Sequence, residues 1–317
     1  MIRFRLRGTL PLLALTIGAA CAPGPSASTA PSASPVLRVW DSRASRQVGF
    51  DQLVRAAASS DLVFFGEQHD DPVTHATELA LLAAIGERRS RVVLSLEMFE
   101  RDVQGPLDAY LAGRTAEPEF LAASRPWDRY ATDYRGMVEL ARARGWPVVA
   151  SNIPRRLAST VSRAGLRALD TIPAADKRWI AAEHQCPRDD EYFRRLAASM
   201  QGHGNGGPSG PALDEASKRM VERFYEAQCT KDEAMGEAVA AAWRANPGTV
   251  VVHYDGAFHS DYRLGTVARA ARRATGARTL VVSAVPVPSL DSLPTSEHAA
   301  KGDYVVFTLR LPAPAAK

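Results

Sequence analysis

The residues best suited to chemistry in this sequence are Glu67 and His69, which lie two positions apart directly after a short apolar run. Leu62–Phe65 is continuously apolar, as a strand buried on both faces requires, and Gly66 ends that run. In open parallel sheets, ligands bind outside the carboxyl ends of the strands. An acid and an imidazole are therefore predicted at the place where such a fold carries its site.

A helix is predicted immediately after this turn. Asp71 followed by Pro72 is typical of an N-cap with proline in the first helical turn, and the apolar pattern continues to about Arg88. His75 and Glu78 are three positions apart on this helix and would share one face. We expect them to form a solvated pair, because the neighbouring apolar residues are needed for the packed side.

Polar residues also follow the later apolar runs. These residues are Glu97, Ser151, Asn152, His253 and His259. Neighbouring parallel strands lie about 4.8 Å apart, so groups at their shared edge can meet around one ligand. Two carboxylates and two imidazoles suit either a divalent metal or a general acid and base. The set predicted to share one pocket, in either role, is Glu67, His69, Glu97 and His259.

An aromatic stripe precedes the next predicted helix. Trp127, Tyr130 and Tyr134 are three and four positions apart, with Arg125 and Arg135 nearby. Such a face could hold a flat anionic ligand, with aromatic walls for the ring, arginines for carboxylates and a tyrosine oxygen for ferric iron. A stripe at helical spacing is also common in hydrophobic cores, so both interpretations stand.

The elements that must position these residues alternate short β-branched runs with longer helical patterns. This alternation over about residues 37–311 predicts one α/β domain, with a largely parallel sheet sandwiched by helices. The predicted strands are Leu62–Phe65, Val92–Leu96, Pro147–Ala150, Thr249–Val252, Arg278–Val285 and Tyr304–Leu309. Residues 153–245 are predicted to be a helical insert, with helices near Pro154–Leu169, Ala175–His184, Asp190–Met200 and Leu213–Ala245. Within it, Gly202–Pro211 is predicted to be a loop.

The first 20 residues are predicted to be a lipoprotein signal peptide. Three arginines precede the apolar stretch Leu10–Ile17, and small residues lead to Cys21, the expected lipidation site. Residues 21–36 are rich in proline, serine and alanine and are predicted to be a flexible tether. The alternative is an ordinary signal peptide with an incidental cysteine. Ala22 after the cysteine favours an anchor in the outer membrane, facing the periplasm.

Charge and cysteine content limit the possible partners. Removing the signal peptide removes three arginines and no acid, so the formal net charge falls from +4 to +1. A nucleic-acid partner is therefore not expected. The remaining cysteines, Cys186 and Cys229, are predicted to form a disulfide in an oxidising envelope compartment. No GxSxG elbow or HExxH pair occurs, which argues against a serine hydrolase or a zinc protease of those types.

Several segments together resemble a known family. They are FFGEQHDDPVTH, LSLEMFERDVQ, RPWDRYATDYRGMVELARARGWPVVASNIPRRL, AQCTKDEAMGEAV and GAFHSDYRLGTVAR, in matching order from about Phe50 to Val285. The chain resembles the ChaN family of haem-binding lipoproteins, within a grouping that includes erythromycin esterases and the TIKI and TraB proteins. The resemblance implies an α/β sandwich, a lipid anchor, a role in iron uptake, and haem in a pocket that a second subunit can complete.

The resemblance leaves two functions open. As a haem-binding protein, the chain would use Tyr130, Tyr134 or Tyr254 as the iron ligand, with His259 as a further contact. The wider grouping instead implies hydrolysis, in which the turn Gly66–His69 and the acid Glu97 would serve catalysis.

Overall fold

Eight strands form one mixed sheet in the computed structural model, which describes residues 36–202 and 214–310. The expected signal peptide, Cys21, nearly all of the expected tether and most of the glycine-rich segment lie outside these residues. The strands are β1 Leu37–Asp41, β2 Arg46–Val48, β3 Leu62–Glu67, β4 Val92–Glu100, β5 Val148–Asn152, β6 Val250–Gly256, β7 Thr279–Val287 and β8 Tyr304–Leu309. Their order across the sheet is β2-β1-β8-β7-β3-β6-β4-β5.

The sheet is parallel from β8 through to β5, and β1 and β2 add an antiparallel edge. Side chains alternate between two cores along each central strand. On β3, Val63 and Phe65 pack on one face, whereas Leu62 and Phe64 pack on the other. Burial on both faces explains why these strands have continuous apolar sequences. The predicted largely parallel α/β fold is confirmed.

Helices cover both faces of the sheet. The α-helices are α1 Phe50–Ala58, α2 Pro72–Arg88, α3 Gln104–Leu111, α4 Glu117–Ser124, α5 Arg135–Arg144, α6 Arg155–Ala164, α7 Glu191–Gly202, α8 Glu215–Ala245, α9 Ala257–Ser260, α10 Gly265–Arg273 and α11 Thr295–His298. One π-helical turn, Tyr130–Tyr134, leads directly into α5. Of the helices in the described ranges, none combines the length and apolar character needed to cross a membrane.

Five of the six predicted strands extend further at their carboxyl ends than the apolar runs indicate. β3 reaches Glu67, β4 reaches Glu100 and β6 reaches Gly256. These polar ends stay in the sheet because neighbouring strands pair with them: Glu67 is aligned with Gly256 across the parallel ladder. Apolar composition therefore marks the core of each strand, whereas cross-strand pairing sets its end.

Between β5 and β6, the described residues contain helices and no strand, as expected for a helical insert. The helix predicted near Ala175–His184 is wrong, however: only the short 3-10 segment Ala174–Trp179 forms there, followed by irregular chain up to α7. A disulfide joins Cys186 in that irregular segment to Cys229 in α8, with the Cα atoms 5.9 Å apart. The covalent link fixes this segment where regular hydrogen bonding does not.

Candidate functional site

A cavity of about 450 Å³ lies at the carboxyl ends of β3, β4 and β6. All four residues predicted to share a pocket line it, as do Trp127 from the loop before the π-helical turn and Lys231 from α8. Glu67 follows Val63 and Phe65 on one face of the sheet, whereas Glu97 follows the alternation of the opposite face. The two acids therefore reach the cavity from opposite sides of the sheet edge.

The first half of the site is a carboxylate that holds an imidazole. Glu67 Oε1 accepts a hydrogen bond from the Tyr134 hydroxyl at 2.6 Å and lies 2.6 Å from Nδ1 of His69. The His69 side chain is 49% exposed, and its ring stands edge-on to Trp127. Because the carboxylate accepts the Nδ1 proton, Nε2 of the neutral ring is left free to act as a ligand or base.

The electrostatics around His69 favour its protonated form. Burial alone would lower its pKa, but the hydrogen bond to Glu67 and the charges of Glu97 and Glu67 more than offset that effect, so the pKa is raised. The imidazole lies directly over Gly256, where an added Cβ would come 2.9 Å from Nε2. Glycine at this position therefore makes room for the ring.

The second half of the site is a chain of acid, imidazole and acid. His259 Nδ1 lies 2.8 Å from Asp232 Oδ1, and His259 Nε2 lies 3.5 Å from Glu97 Oε1. The other oxygen of Glu97 accepts the Gly256 amide hydrogen bond at 2.8 Å. Burial alone would lower the pKa of His259, but the two flanking carboxylates more than offset it and raise the pKa. The arrangement suits proton transfer at Glu97.

Sequence reasoning missed Asp232 and Lys231, which lie in the middle of the long helix α8. Asp232 is fully buried and also accepts hydrogen bonds from the hydroxyls of Tyr192 and Thr266, at 2.6 and 2.9 Å. Lys231 lines the cavity. An acid within an amphipathic helix looks like a solvent-facing residue, so the only available signal was its place in the motif AQCTKDEA.

The predicted solvated pair of His75 and Glu78 is wrong. Both side chains are buried, with relative exposures of 3% and 0%. His75 Nδ1 lies 2.9 Å from Glu78 Oε2 and 3.6 Å from Glu67 Oε2. The face of α2 that carries His75 is covered because the π-helical turn Tyr130–Tyr134 packs against it, with the Tyr134 ring edge-on to the His75 ring. Burial, together with the neighbouring charge of Glu67, raises the pKa of Glu78 well above its ordinary value.

None of the three candidate tyrosines lines the cavity. Tyr134 supports Glu67 through its hydroxyl, and the Tyr254 hydroxyl donates to the backbone carbonyl of Glu78. Tyr130 packs in the hydrophobic core, edge-on to Phe99. The structure thus brings Trp127 and His259 to the cavity but places the tyrosine oxygens elsewhere.

The predicted arginines lie outside the cavity as well. Arg125 forms ion pairs with Glu100 and Asp102 at 3.0 and 2.6 Å, and it lines a neighbouring cavity of about 720 Å³. Trp127 lines both cavities. Arg135 pairs with Glu117 on the surface.

Three other polar residues that follow apolar runs in the sequence make supporting contacts, although His253 lies in the middle of β6 and not at its end. Ser151 donates to the carbonyl of Leu96, and Asn152 donates to the carbonyl of Glu97 at 3.1 Å, which fixes the backbone of the carboxylate. His253 is fully buried against Ser95, and burial lowers its pKa to about 4, so this ring is neutral near pH 7. None of these three residues lines the cavity.

Comparison with known proteins identifies the family to which the sequence is similar. The model for the family described as haem-binding uptake, Tiki superfamily, ChaN matches residues 53–270. The structure of ChaN of Campylobacter jejuni with cofacially bound haem is similar, at 16% identity and a TM-score of 0.65, covering 86% of this chain and 97% of that one.

A second similar structure is a mutant of the erythromycin esterase EreC in its open conformation. It is 13% identical with a TM-score of 0.46, covering 84% of this chain and 80% of that one. No curated protein matches the sequence. The family match spans more than half of the chain and confirms the resemblance inferred from the motifs, so this protein belongs to the ChaN haem-binding uptake family of the Tiki superfamily.

Proposed function

We propose that this protein is a membrane-anchored lipoprotein of iron uptake that binds haem in the cavity between His69 and His259. The observation that carries the proposal is the orientation of His69. Its Nδ1 is held by Glu67, which leaves Nε2 free in a partly exposed position. An imidazole whose second nitrogen donates to a carboxylate is the usual arrangement of a metal-ligating histidine. His69 would therefore bind the haem iron.

The rest of the cavity suits the remainder of the cofactor. Trp127 and Phe224 supply aromatic surface, and the Phe224 side chain is 39% exposed in the protein alone. Lys231, which lines the cavity, would supply a positive charge for one haem propionate. Arg155, which lines the neighbouring cavity across Trp127, supplies another. Aromatic walls with cations at their edge match a flat, anionic ring.

A haemin titration followed by Soret absorbance tests the iron ligand. His69→Ala should weaken haemin binding by at least about tenfold, and added imidazole should restore the spectrum of an imidazole-ligated iron. Tyr130→Phe is the matched control, because its hydroxyl is buried without a partner among the described side chains. If Tyr130→Phe loses haemin while His69→Ala keeps both affinity and spectrum, the assignment of His69 is wrong.

Hydrolysis is a second candidate function for the same cavity. The observation in its favour is the chain Asp232, His259 and Glu97, which can hold and transfer a proton. A screen of the purified protein against ester and lactone substrates tests it. If His259→Gln and Glu97→Gln both lose turnover but still bind haemin normally through His69, the result would favour hydrolysis as a function. The absence of turnover across the screen would leave haem binding as the function.

We also propose that the protein is anchored in the outer membrane, facing the periplasm, by lipid on Cys21. The support is the sequence of the first 36 residues, which combines a signal peptide, a cysteine and a tether. Mass spectrometry of the mature N-terminal peptide should find a lipidated cysteine. An unmodified terminus beyond Cys21 would contradict the proposal.

A second copy of the chain is the proposed cover for the bound haem. Met220 and Phe224 are apolar residues one turn apart on α8 that are 62% and 39% exposed, and Phe224 lines the cavity. Sedimentation of the protein with and without haemin should show a haem-dependent dimer. A monomer at saturating haemin would contradict this arrangement.

A further inference from the structure

Behind the haem cavity, three side chains with metal-binding atoms meet inside the protein. They are Glu67, His75 and Glu78, whose side chains are exposed by no more than 3%. One nitrogen or oxygen from each lies within 4.8 Å of the others. His75 Nδ1 faces both carboxylates, at 2.9 Å from Glu78 Oε2 and 3.6 Å from Glu67 Oε2. We propose that this cluster binds a divalent transition-metal ion.

Unpartnered oxygens point to a missing cation. Glu67 Oε2 and Glu78 Oε1 are buried, and neither accepts a hydrogen bond from a donor group of the described residues. The two carboxyl groups can hydrogen-bond to each other only when Glu78 is protonated, and burial together with the neighbouring Glu67 raises the pKa of Glu78 accordingly. No lysine or arginine in the described part of the chain forms an ion pair with either carboxylate. Two adjacent buried carboxyl groups are costly without compensation, and buried charges in proteins are usually paired or bound to metal. A metal ion among these atoms supplies both the charge and the missing contacts.

The surrounding contacts orient the cluster as a metal site requires. His75 Nε2 lies 3.2 Å from the carbonyl oxygen of His69 and 3.4 Å from Asp133 Oδ2, so the ring proton is held there and the Nδ1 lone pair faces the carboxyl groups of Glu78 and Glu67. The Tyr134 hydroxyl likewise holds Glu67 Oε1 and leaves Oε2 turned towards His75. Metal-ligating histidines and carboxylates characteristically have such outer hydrogen bonds.

The donor set limits the kind of metal. One imidazole nitrogen with two carboxylates suits Mn²⁺, Fe²⁺ or Zn²⁺, whereas Ca²⁺ and Mg²⁺ prefer all-oxygen sites. The cluster contains no thiolate, which disfavours Cu⁺. Glu67 would serve both sites: Oε1 holds His69 at the cavity and Oε2 binds the buried ion. Occupancy of the buried site would thus be coupled to the histidine that we assign to haem, a link that rests on the proposed function.

Zinc binding to chelator-treated protein, measured by competition with a chromogenic chelator, tests the site itself. We expect one tightly bound Zn²⁺ per chain. Glu78→Gln and His75→Gln should weaken it by more than about 100-fold. The matched controls are Glu97→Gln and His259→Gln, which change the same residue types at the cavity and should retain zinc. Loss of zinc in these controls with retention in Glu78→Gln would overturn the proposal.

A second measurement avoids substitutions in the core. X-ray absorption of the zinc-loaded native chain counts imidazole ligands: the buried cluster supplies one, whereas the cavity set of Glu67, His69, Glu97 and His259 would supply two. One imidazole among oxygen ligands is expected. Two imidazoles, or no zinc retained after gel filtration, would overturn the site. Haemin binding is read separately by Soret absorbance, so failure of the metal site and failure of haem binding are distinguishable.

Discussion

At the scale of single residues, the position of the His69 ring depends on the absence of a side chain at Gly256. Its imidazole lies against Gly256, the residue aligned with Glu67 across the parallel ladder. The backbone of Gly256 has φ −59° and ψ 137°, which any residue can adopt. Glycine is thus required by the close approach of the ring and not by the backbone conformation.

Gly256→Ala should therefore weaken haemin binding roughly tenfold, or about 1.4 kcal/mol, because the new methyl group displaces the His69 ring. Soret titration measures the affinity and thermal melting reports the fold. The control is Gly105→Ala in α3, where an added Cβ meets nothing within 4 Å. That variant should bind haemin normally. Equal haemin affinity in both variants would show that the ring does not need this space.

At the scale of elements, the start of α2 positions the helix that carries His75 and Glu78. The Asp71 carboxylate accepts hydrogen bonds from the amides of Val73 and Thr74, at 3.2 and 3.3 Å. It also accepts from the hydroxyls of Thr74 and Thr308, at 2.6 and 2.7 Å, which ties the helix to β8. The cap therefore sets the direction of the helix that carries His75.

Asp71→Ala should reduce the free energy of unfolding by about 2 kcal/mol or more, because it removes a cap and leaves buried donors without a partner. Urea unfolding measures the change. The neighbouring Asp70 is the control: its side chain is 64% exposed in an ion pair with Arg310, so Asp70→Ala should cost less than about 1 kcal/mol. Similar losses in the two variants would contradict the importance of the buried cap.

A second link between elements should give a pH-dependent contribution to stability. Asp61 Oδ2 accepts hydrogen bonds from the amide and the Nε of Arg278 at 2.9 and 3.0 Å, where β3 and β7 begin. The side-chain hydrogen bond to Arg278 lowers the pKa of Asp61 below 3.8. A lowered pKa stabilises the fold above pH 3.8, and that contribution is lost as pH falls through the folded-state value.

Asp61→Asn should accordingly cost up to about 1 kcal/mol at neutral pH, and the difference from the native protein should shrink as the pH drops below 3.8. Urea unfolding of the variant and the native protein, at neutral pH and at a pH below 3.8, measures this difference in the free energy of unfolding. A difference that stays constant, or grows in acid, would show that the carboxylate charge is not responsible.

At the scale of the whole molecule, the disulfide joins the segment that leads into α7 to α8, and both of these helices line the cavity. Cys186 and Cys229 are separated by 43 residues. Closing a loop of this length removes unfolded-state entropy worth roughly 3–4 kcal/mol. Cys186→Ser with Cys229→Ser should lose about this much stability under oxidising conditions and should match the native protein after reduction. Non-reducing peptide mapping that finds two free thiols in the native protein would contradict the link.

The sequence alone determined the parallel core of the sheet and the shared edge of the site, whereas the antiparallel strands β1 and β2 were not predicted. Apolar runs buried on both faces predict parallel strands, and parallel strands end at one edge, so Glu67, His69, Glu97 and His259 were predicted to converge, and all four line one cavity. These are consequences of local pattern and chain direction. The motifs likewise identified the family, because their types and order are features of the sequence.

Only the tertiary structure decided which helix faces are buried. His75 and Glu78 look like a solvated pair, and Asp232 looks like an ordinary polar position in a helix, until other elements pack over them. Because of the same packing, the hydroxyl groups of Tyr134 and Tyr254 lie outside the cavity, whereas the His69 side chain is partly exposed in it. Side-chain burial depends on contacts between residues far apart in sequence, and helical spacing specifies only that residues share a face, not what that face meets.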